Sequence, residues 1–199
     1  DSEYALPSSN VTSYNEAEAK QILESAGYVD TDGDGYVEKD GQNISLTIAY
    51  YKRLSQEAIA TELQSALKKI GIQSELQLHE GTKYLPNKEY DLGFYSMVTM
   101  PTGDPAYYLN ALLSEGGTVN YSGYDNHAMQ VLLKQLNDSY DTKERKEIVK
   151  QIEEMLLESY SITYIGFNNL IFATRKELKN FVPHVTDYYQ ITVDLELQS

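Results

Sequence analysis

Three aspartates at alternate positions, Asp30, Asp32 and Asp34, followed at once by Gly35, are the residues here whose type and spacing most directly suggest chemistry. "DTDGDGYVEKDG", residues 30–41, opens like an EF-hand loop, which sets side-chain oxygens at positions 1, 3 and 5, glycine at 6, a backbone carbonyl at 7 and a bidentate Glu at 12. Position 12 is Gly41, and "NISLTIAY" reads as a strand where a sensor would carry its second helix. A calcium sensor is therefore excluded. Two readings stay open. Asp30, Asp32 and Asp34 can hold one structural Ca²⁺, with Glu38 at position 9 and Asp40 at position 11 partly replacing the missing Glu. Alternatively the stretch is a plain turn, because Asp bonds its own backbone two residues on and glycine supplies positive φ without any ion. On that reading micromolar calcium adds little stability.

Catalytic constellations are not found. His79, His127 and His184 are the three histidines, none in an H-E-x-x-H frame, and there is no G-x-S-x-G elbow, Gly-rich phosphate loop or cysteine. His127, in "GYDNHAM", is the histidine most open to a metal contact, with an ordinary exposed residue as the alternative. The expectation is a protein that is not an enzyme and requires no cofactor. Four N-x-[ST] matches carry little weight without a secretory context.

Composition bounds the partners. A formal charge of −14 argues against nucleic acid and anionic membranes, since phosphate binding needs clustered Lys and Arg. At 199 residues and 41% hydrophobic the chain can bury a real core as one domain, or at most form two small ones. No apolar run approaches the roughly 20 residues that span a bilayer. No signal peptide is present, but a chain that starts at Asp1 leaves room for a removed leader or upstream region, so location stays open on this ground. The 18 tyrosines and absent tryptophan supply flat faces with a polar tip, suited to a wet binding surface as well as to a core edge.

The elements that must position these residues follow from periodicity and caps. Residues 1–13 lack a sustained period and read as a lead-in. Asn15, with Glu18 three residues on, starts a helix whose Ala19, Ile22, Leu23 and Ala26 share one face, and Gly27 stops it. A strand over 44–50, a helix from Ser55 to Gly71 and a strand over "IQSELQL" make a parallel crossover unit. A third strand is expected in "YDLGFYSMV", then a short helix in "AYYLNALL" and two amphipathic helices over 125–136 and 141–158. "ITYIGF" and "LIFAT" flank Asn168 and Asn169 as a hairpin, and a last strand is expected over 190–195. The class is α/β with a mixed sheet flanked by helices.

In order, "AKQILESAGYVDTDGDGYVEKDGQNISLTIAY", "ELQSALKKIGIQSELQL", "YDLGFYSMVTMPTGDPAYYLNALL", "NYSGYDNHAMQVLL" and "FATRKELKNFVPHVTDYY" resemble the family 5 extracellular solute-binding proteins of bacterial ABC importers, in the nickel and oligopeptide branch. The resemblance rests on the order of five segments, not on a single motif. It implies the second, C-terminal lobe only, residues 14–199, of a two-lobe flytrap fold, with residues 1–13 as a hinge lead-in. It further implies a monomer outside the cytoplasm, as a surface lipoprotein or in the periplasm, that binds a peptide, nickel or a nickel chelate and delivers it to an ABC permease. In the family the Asp loop is a turn away from the substrate, sometimes a cation site. Many relatives carry Trp just after the third strand, where this chain has Met97, so a Trp-stacking pocket does not carry over. A calcium-stabilised surface or adhesion module is the alternative, favoured by the Asp loop alone.

In open α/β sheets ligands bind beyond the carboxyl ends of the strands, where loops converge and helix N-termini present free N–H groups. That rule selects Tyr51 and Arg53 after the first strand, Thr99 and Asp104 after the third, and Asn120, Tyr121, Ser122 and Tyr124 in the loop "NYSGY". Two of these have other readings: Asp104 as a helix cap, Tyr121 as packing beneath the loop.

Overall fold

A computed structural model describes residues 3–6, 13–53, 55–167, 171–184 and 190–198. The chain divides into two compact units, Val11–Ser96 and a second made of Asp1–Asn10 and Met97–Ser199.

The first unit is built around a parallel crossover. It runs α1 (Glu16–Ser25), β1 (Glu38–Lys39), β2 (Gln42–Asn43), β3 (Ser45–Tyr51), α2 (Gln56–Lys69), β4 (Gln73–His79), a 3₁₀ turn (Thr82–Asn87) and β5 (Leu92–Gly93). β3 lies in the middle of a three-stranded parallel sheet of order β4-β3-β5, with Ser45 opposite Gln73 and Ile48 opposite Leu92. Ile48, Tyr50, Ala60 and Phe94 are buried, and Ile59, Leu63, Leu67 and Leu76 pack on them, so the helical spacing of α2 covers one face of the sheet. Gly71 ends the turn after α2 at φ +80°, and a side chain there would meet Val37 at 2.9 Å. α1 starts as its cap predicts: Asn15 Oδ1 accepts from Glu18 N at 3.1 Å, and Asn15 Nδ2 donates to Glu18 Oε2. Its apolar face, however, buries nothing, and Ile22 is exposed.

The third strand is much shorter than its sequence suggests. Asp91 N and Phe94 N still donate to Thr47 and Ala49 carbonyls, but Ser96 N donates to Tyr51 Oη instead and Gln56 Nε2 donates to Ser96 Oγ. Side chains thus take over from the ladder, and the backbone leaves the sheet after Phe94.

The second unit is a helical core: α3 (Ala106–Leu113), α4 (His127–Asp138) and α5 (Thr142–Ser159), followed by β6 (Leu178–Lys179) paired antiparallel with β7 (Glu196–Leu197). Leu109 and Leu113 of α3, Met129, Leu133 and Leu136 of α4, and Val149, Ile152 and Leu156 of α5 are all essentially buried. Asn126 and Asp141 cap α4 and α5 through their side-chain oxygens. Two expectations are corrected. The segments flanking the expected hairpin are not strands in the described residues, and residues 168–170 lie outside them. The last strand falls at β7, after 190–195, because its partner β6 fixes Leu197 opposite Leu178. The lead-in over 1–13 lies mostly outside the described residues. Parallel and antiparallel pairs both occur, in separate sheets, and the α/β class holds.

Candidate functional site

At the carboxyl end of β3 the sequence places Tyr51, and the structure buries it. Its N–H donates to Gln56 Oε1 at 3.2 Å and its hydroxyl accepts from Ser96, so Tyr51 braces the strand end against the start of α2. Lys52 and Arg53 follow as exposed cations. Nearby, the hydroxyl of Tyr84 donates to both Ala49 and Phe94 carbonyls, its ring stacks on His79 at 4.0 Å, and burial pushes its pKa well above the usual phenol range. Neither His79 nor Tyr84 was singled out as a site residue from sequence; a His at a strand end and a Tyr five residues later give no local signal of stacking.

In the second unit, Thr99 is half-buried in coil. Asp104 Oδ1 accepts from Ala106 N at 2.8 Å, one residue ahead of the Pro105 cap of α3, and both its oxygens accept from the Arg145 guanidinium at 2.6–3.2 Å. Arg145 also donates to the carbonyls of Leu136 and Ser139, tying α3 to the α4–α5 connection. Asn120 is the pin of its loop. Its oxygen accepts from Tyr124 N at 2.9 Å, and its amide donates to the carbonyls of Tyr124 and Ser114. The loop approaches α3 so closely that a side chain on Gly117 would come within 2.5 Å of the Ala111 carbonyl. Ser122 is exposed and Tyr121 half-buried. The Tyr124 ring is buried in the helical core, and its hydroxyl is buried without a hydrogen-bond partner. His127 is exposed at the first turn of α4 and joins no metal-holding group among the described residues.

The Asp loop forms a cluster. One carboxylate oxygen from each of Asp30, Asp32, Asp34 and Glu38 lies within 4.8 Å of the others. Asp30 accepts from Gly33 N at 2.7 Å and Gly35 N at 3.0 Å, Asp32 from Asp34 N, and Asp34 from Tyr36 N. These are the Asp turns the composition predicts. Glu38 adds a buried carboxylate.

The fold places the chain among solute-binding proteins. It superposes on a nickel ABC transporter protein from Bacillus halodurans with a TM-score of 0.75 and 28% identity, covering 96% of this chain and 41% of that one. NikA from Staphylococcus aureus, solved with Ni(L-His)₂, matches with the same TM-score and identity over 91% of this chain and 37% of its own. Residues 1–120 match the bacterial extracellular solute-binding proteins, family 5 Middle, and the chain belongs to that family. Among curated relatives, the nickel-binding protein NikA of S. aureus is 31% identical over 86% of this chain, and the oligopeptide-binding protein AppA of Bacillus subtilis is 31% identical over 89%. The chain spans about a third of the length of these two relatives. Among the described residues no helix is long and apolar enough to cross a membrane.

Proposed function

We propose that this chain is part of the substrate-binding component of a bacterial ABC importer, a receptor without catalytic activity that captures a peptide or a nickel chelate outside the cytoplasm and passes it to a membrane permease. The supporting observation is its equal identity, 31%, to a nickel-binding and an oligopeptide-binding protein over most of its length. The reading keeps residues 14–199 as one ligand-binding lobe and the protein as a monomer, anchored at the cell surface or held in the periplasm.

Bare nickel is the least suited of the ligands. Ni²⁺ favours imidazole over carboxylate, and no histidine joins a metal-holding group among the described residues. A chelate brings its own nitrogen ligands, and a peptide needs none. Both present carboxylates, which an exposed guanidinium such as Arg53 is suited to meet; in the other unit the polar and aromatic groups of Tyr121 and Ser122 suit the amides of a peptide or the rings of a histidine chelate.

The test is calorimetric titration of nickel–histidine complex and of a nonapeptide into the protein that carries this chain at the relatives' full length, and into the 199-residue chain alone. One of the two binds the longer protein, and the chain alone binds at least ~100-fold more weakly because it lacks the energy of closure. Arg53→Ala and Tyr121→Ala each weaken binding by about tenfold, while Asp32→Asn leaves it unchanged. Binding of neither probe by the longer protein, or equally tight binding by the short chain, overturns the reading.

A further inference from the structure

Three exposed aspartates in a turn would carry no more than a solvated acidic patch; Glu38 makes this cluster different. It sits in β1, 7% exposed, where an antiparallel bridge to Val29 and the hydrogen bond from Val37 N to the Gly71 carbonyl at 2.8 Å hold it in place. Its two oxygens are unequal. Oε2 accepts from Thr31 N at 2.8 Å and from Thr31 Oγ1 at 3.1 Å, whereas Oε1 is buried with no hydrogen-bond partner. A buried carboxylate oxygen is costly unless a donor or a cation meets it. The Glu38 carboxyl group also shares its cluster with three further carboxylates, which raise the cost. No salt bridge among the described residues reaches Asp30, Asp32, Asp34 or Glu38, and the Lys39 ammonium lies 4.8 Å over the Tyr28 ring.

We propose that Asp30, Asp32, Asp34 and Glu38 bind one Ca²⁺ ion that locks the loop after α1 to β1. The donors are all carboxylate oxygens, which selects a hard cation over Ni²⁺ or Zn²⁺. The backbone N–H groups that bond the aspartates fix their carboxylates in converging positions before any ion arrives. Asp30, Asp32 and Asp34 fill positions 1, 3 and 5 of an EF-hand-like loop, and Glu38 at position 9 takes the work of the absent Glu at position 12. Ca²⁺ suits this irregular set better than Mg²⁺, which demands a near-ideal octahedron and gives up its waters reluctantly. Without the bidentate Glu at position 12 and with no second helix, the affinity falls in the range of extracellular modules, about 0.1–1 mM. Micromolar calcium therefore leaves the site largely empty, and the calcium of an extracellular medium fills it.

The experiment follows the melting of the 199-residue chain in EDTA, in Mg²⁺ and in Ca²⁺ raised to about 10 mM, with terbium luminescence sensitised by the loop's own Tyr36 as a direct readout of occupancy. The midpoint rises with the logarithm of calcium above the dissociation constant, and equal Mg²⁺ does less. Glu38→Gln keeps an oxygen for Thr31 and replaces the unmatched one with an uncharged amide NH₂. In EDTA it melts at or above wild type, while its apparent calcium affinity falls at least ~tenfold. Asp32→Asn, which keeps the acceptor for Asp34 N, loses affinity likewise. Three results overturn the proposal: no calcium response in wild type, an unchanged response in both variants, or a Glu38→Gln chain as destabilised in EDTA as in calcium, which would make the carboxylate purely structural.

Discussion

The loops over 30–38 and 117–124 draw on the same stock of glycine, tyrosine and short polar side chains, yet they dispose of their polar groups in opposite ways. In the second, Asn120 satisfies Tyr124 N–H, the Tyr124 carbonyl and the Ser114 carbonyl at once, and Val119 N donates to Ala111 O, so the loop closes on itself and on the end of α3. In the first, the carboxylates also accept from their own backbone, but acceptor capacity and four negative charges remain. Residue type alone marked both as candidate sites. Unused hydrogen-bonding capacity is what separates a group available to a ligand from one that shapes its loop.

The largest effect expected from this difference is on stability. Asn120→Ala removes one acceptor and two donors from partly buried backbone groups and should cost about 2–3 kcal/mol, read as a lower urea midpoint with an unchanged slope. Asn120→Asp keeps the acceptor for Tyr124 N but turns an anionic oxygen toward the Ser114 and Tyr124 carbonyls, so it should cost at least as much as alanine. If Asn120→Ala unfolds like wild type but loses ligand in the longer protein, the hydrogen bonds drawn here are secondary and Asn120 is a contact residue.

How much of this was legible in the sequence depends on how far apart the partners stand. Asn15 and Asp141 announce their helices because a cap is satisfied within three residues, and Gly71 announces its turn because φ +80° favours glycine. The third strand misled because its end is set by Tyr51 and Gln56, some 40 positions earlier. Asp104 shows the same limit: its local bond to Ala106 N is of the kind a sequence suggests, but Arg145, 41 positions on, is not. Ile165, Phe167 and Ile171 alternate or cluster like strand residues, yet all three are exposed. Apolar pattern reports that a segment wants a partner, and it cannot say whether that partner belongs to the stretch of sequence in hand. Glu38 was visible as a substitute ligand; that one of its oxygens is buried and unmatched was not, because burial depends on β1 pairing back to Val29.

Glu153 sharpens the contrast from the other side. Like Glu38 it has one buried oxygen without a partner, Oε2, but it stands in α5 without an acidic cluster around it. Burial raises its pKa to about 7, against a smaller lowering by the backbone hydrogen bond of Leu6. A proton can therefore serve where Glu38 calls for a metal. Because the folded pKa lies above the unfolded value near 4.5, folding takes up a proton in between. The chain is most stable on this account below about pH 4.5, loses stability as pH rises toward 7, and levels off above it. Glu153→Gln should flatten that slope and raise the melting midpoint at pH 8 by roughly 2–4 °C, with little change near pH 4.5. Calcium should leave this difference untouched. A pH slope unaltered by Glu153→Gln would place the titrating group elsewhere.

The smallest expected effect is the most diagnostic for the second loop. Tyr124 carries the loop's buried unmatched group: its ring packs in the core with Leu133 and Leu136, while its hydroxyl is buried without a partner and burial raises its pKa. Removing an unmatched buried hydroxyl while keeping the ring is neutral or stabilising, so Tyr124→Phe should leave the chain equally stable or up to about 1 kcal/mol more stable. If the hydroxyl serves only the fold, ligand affinity in the longer protein is also unchanged. If it is held in reserve for a ligand, affinity falls several-fold while stability does not. A loss of stability above about 1 kcal/mol would mean that the hydroxyl already has a bound water as its partner and is not held in reserve for a ligand.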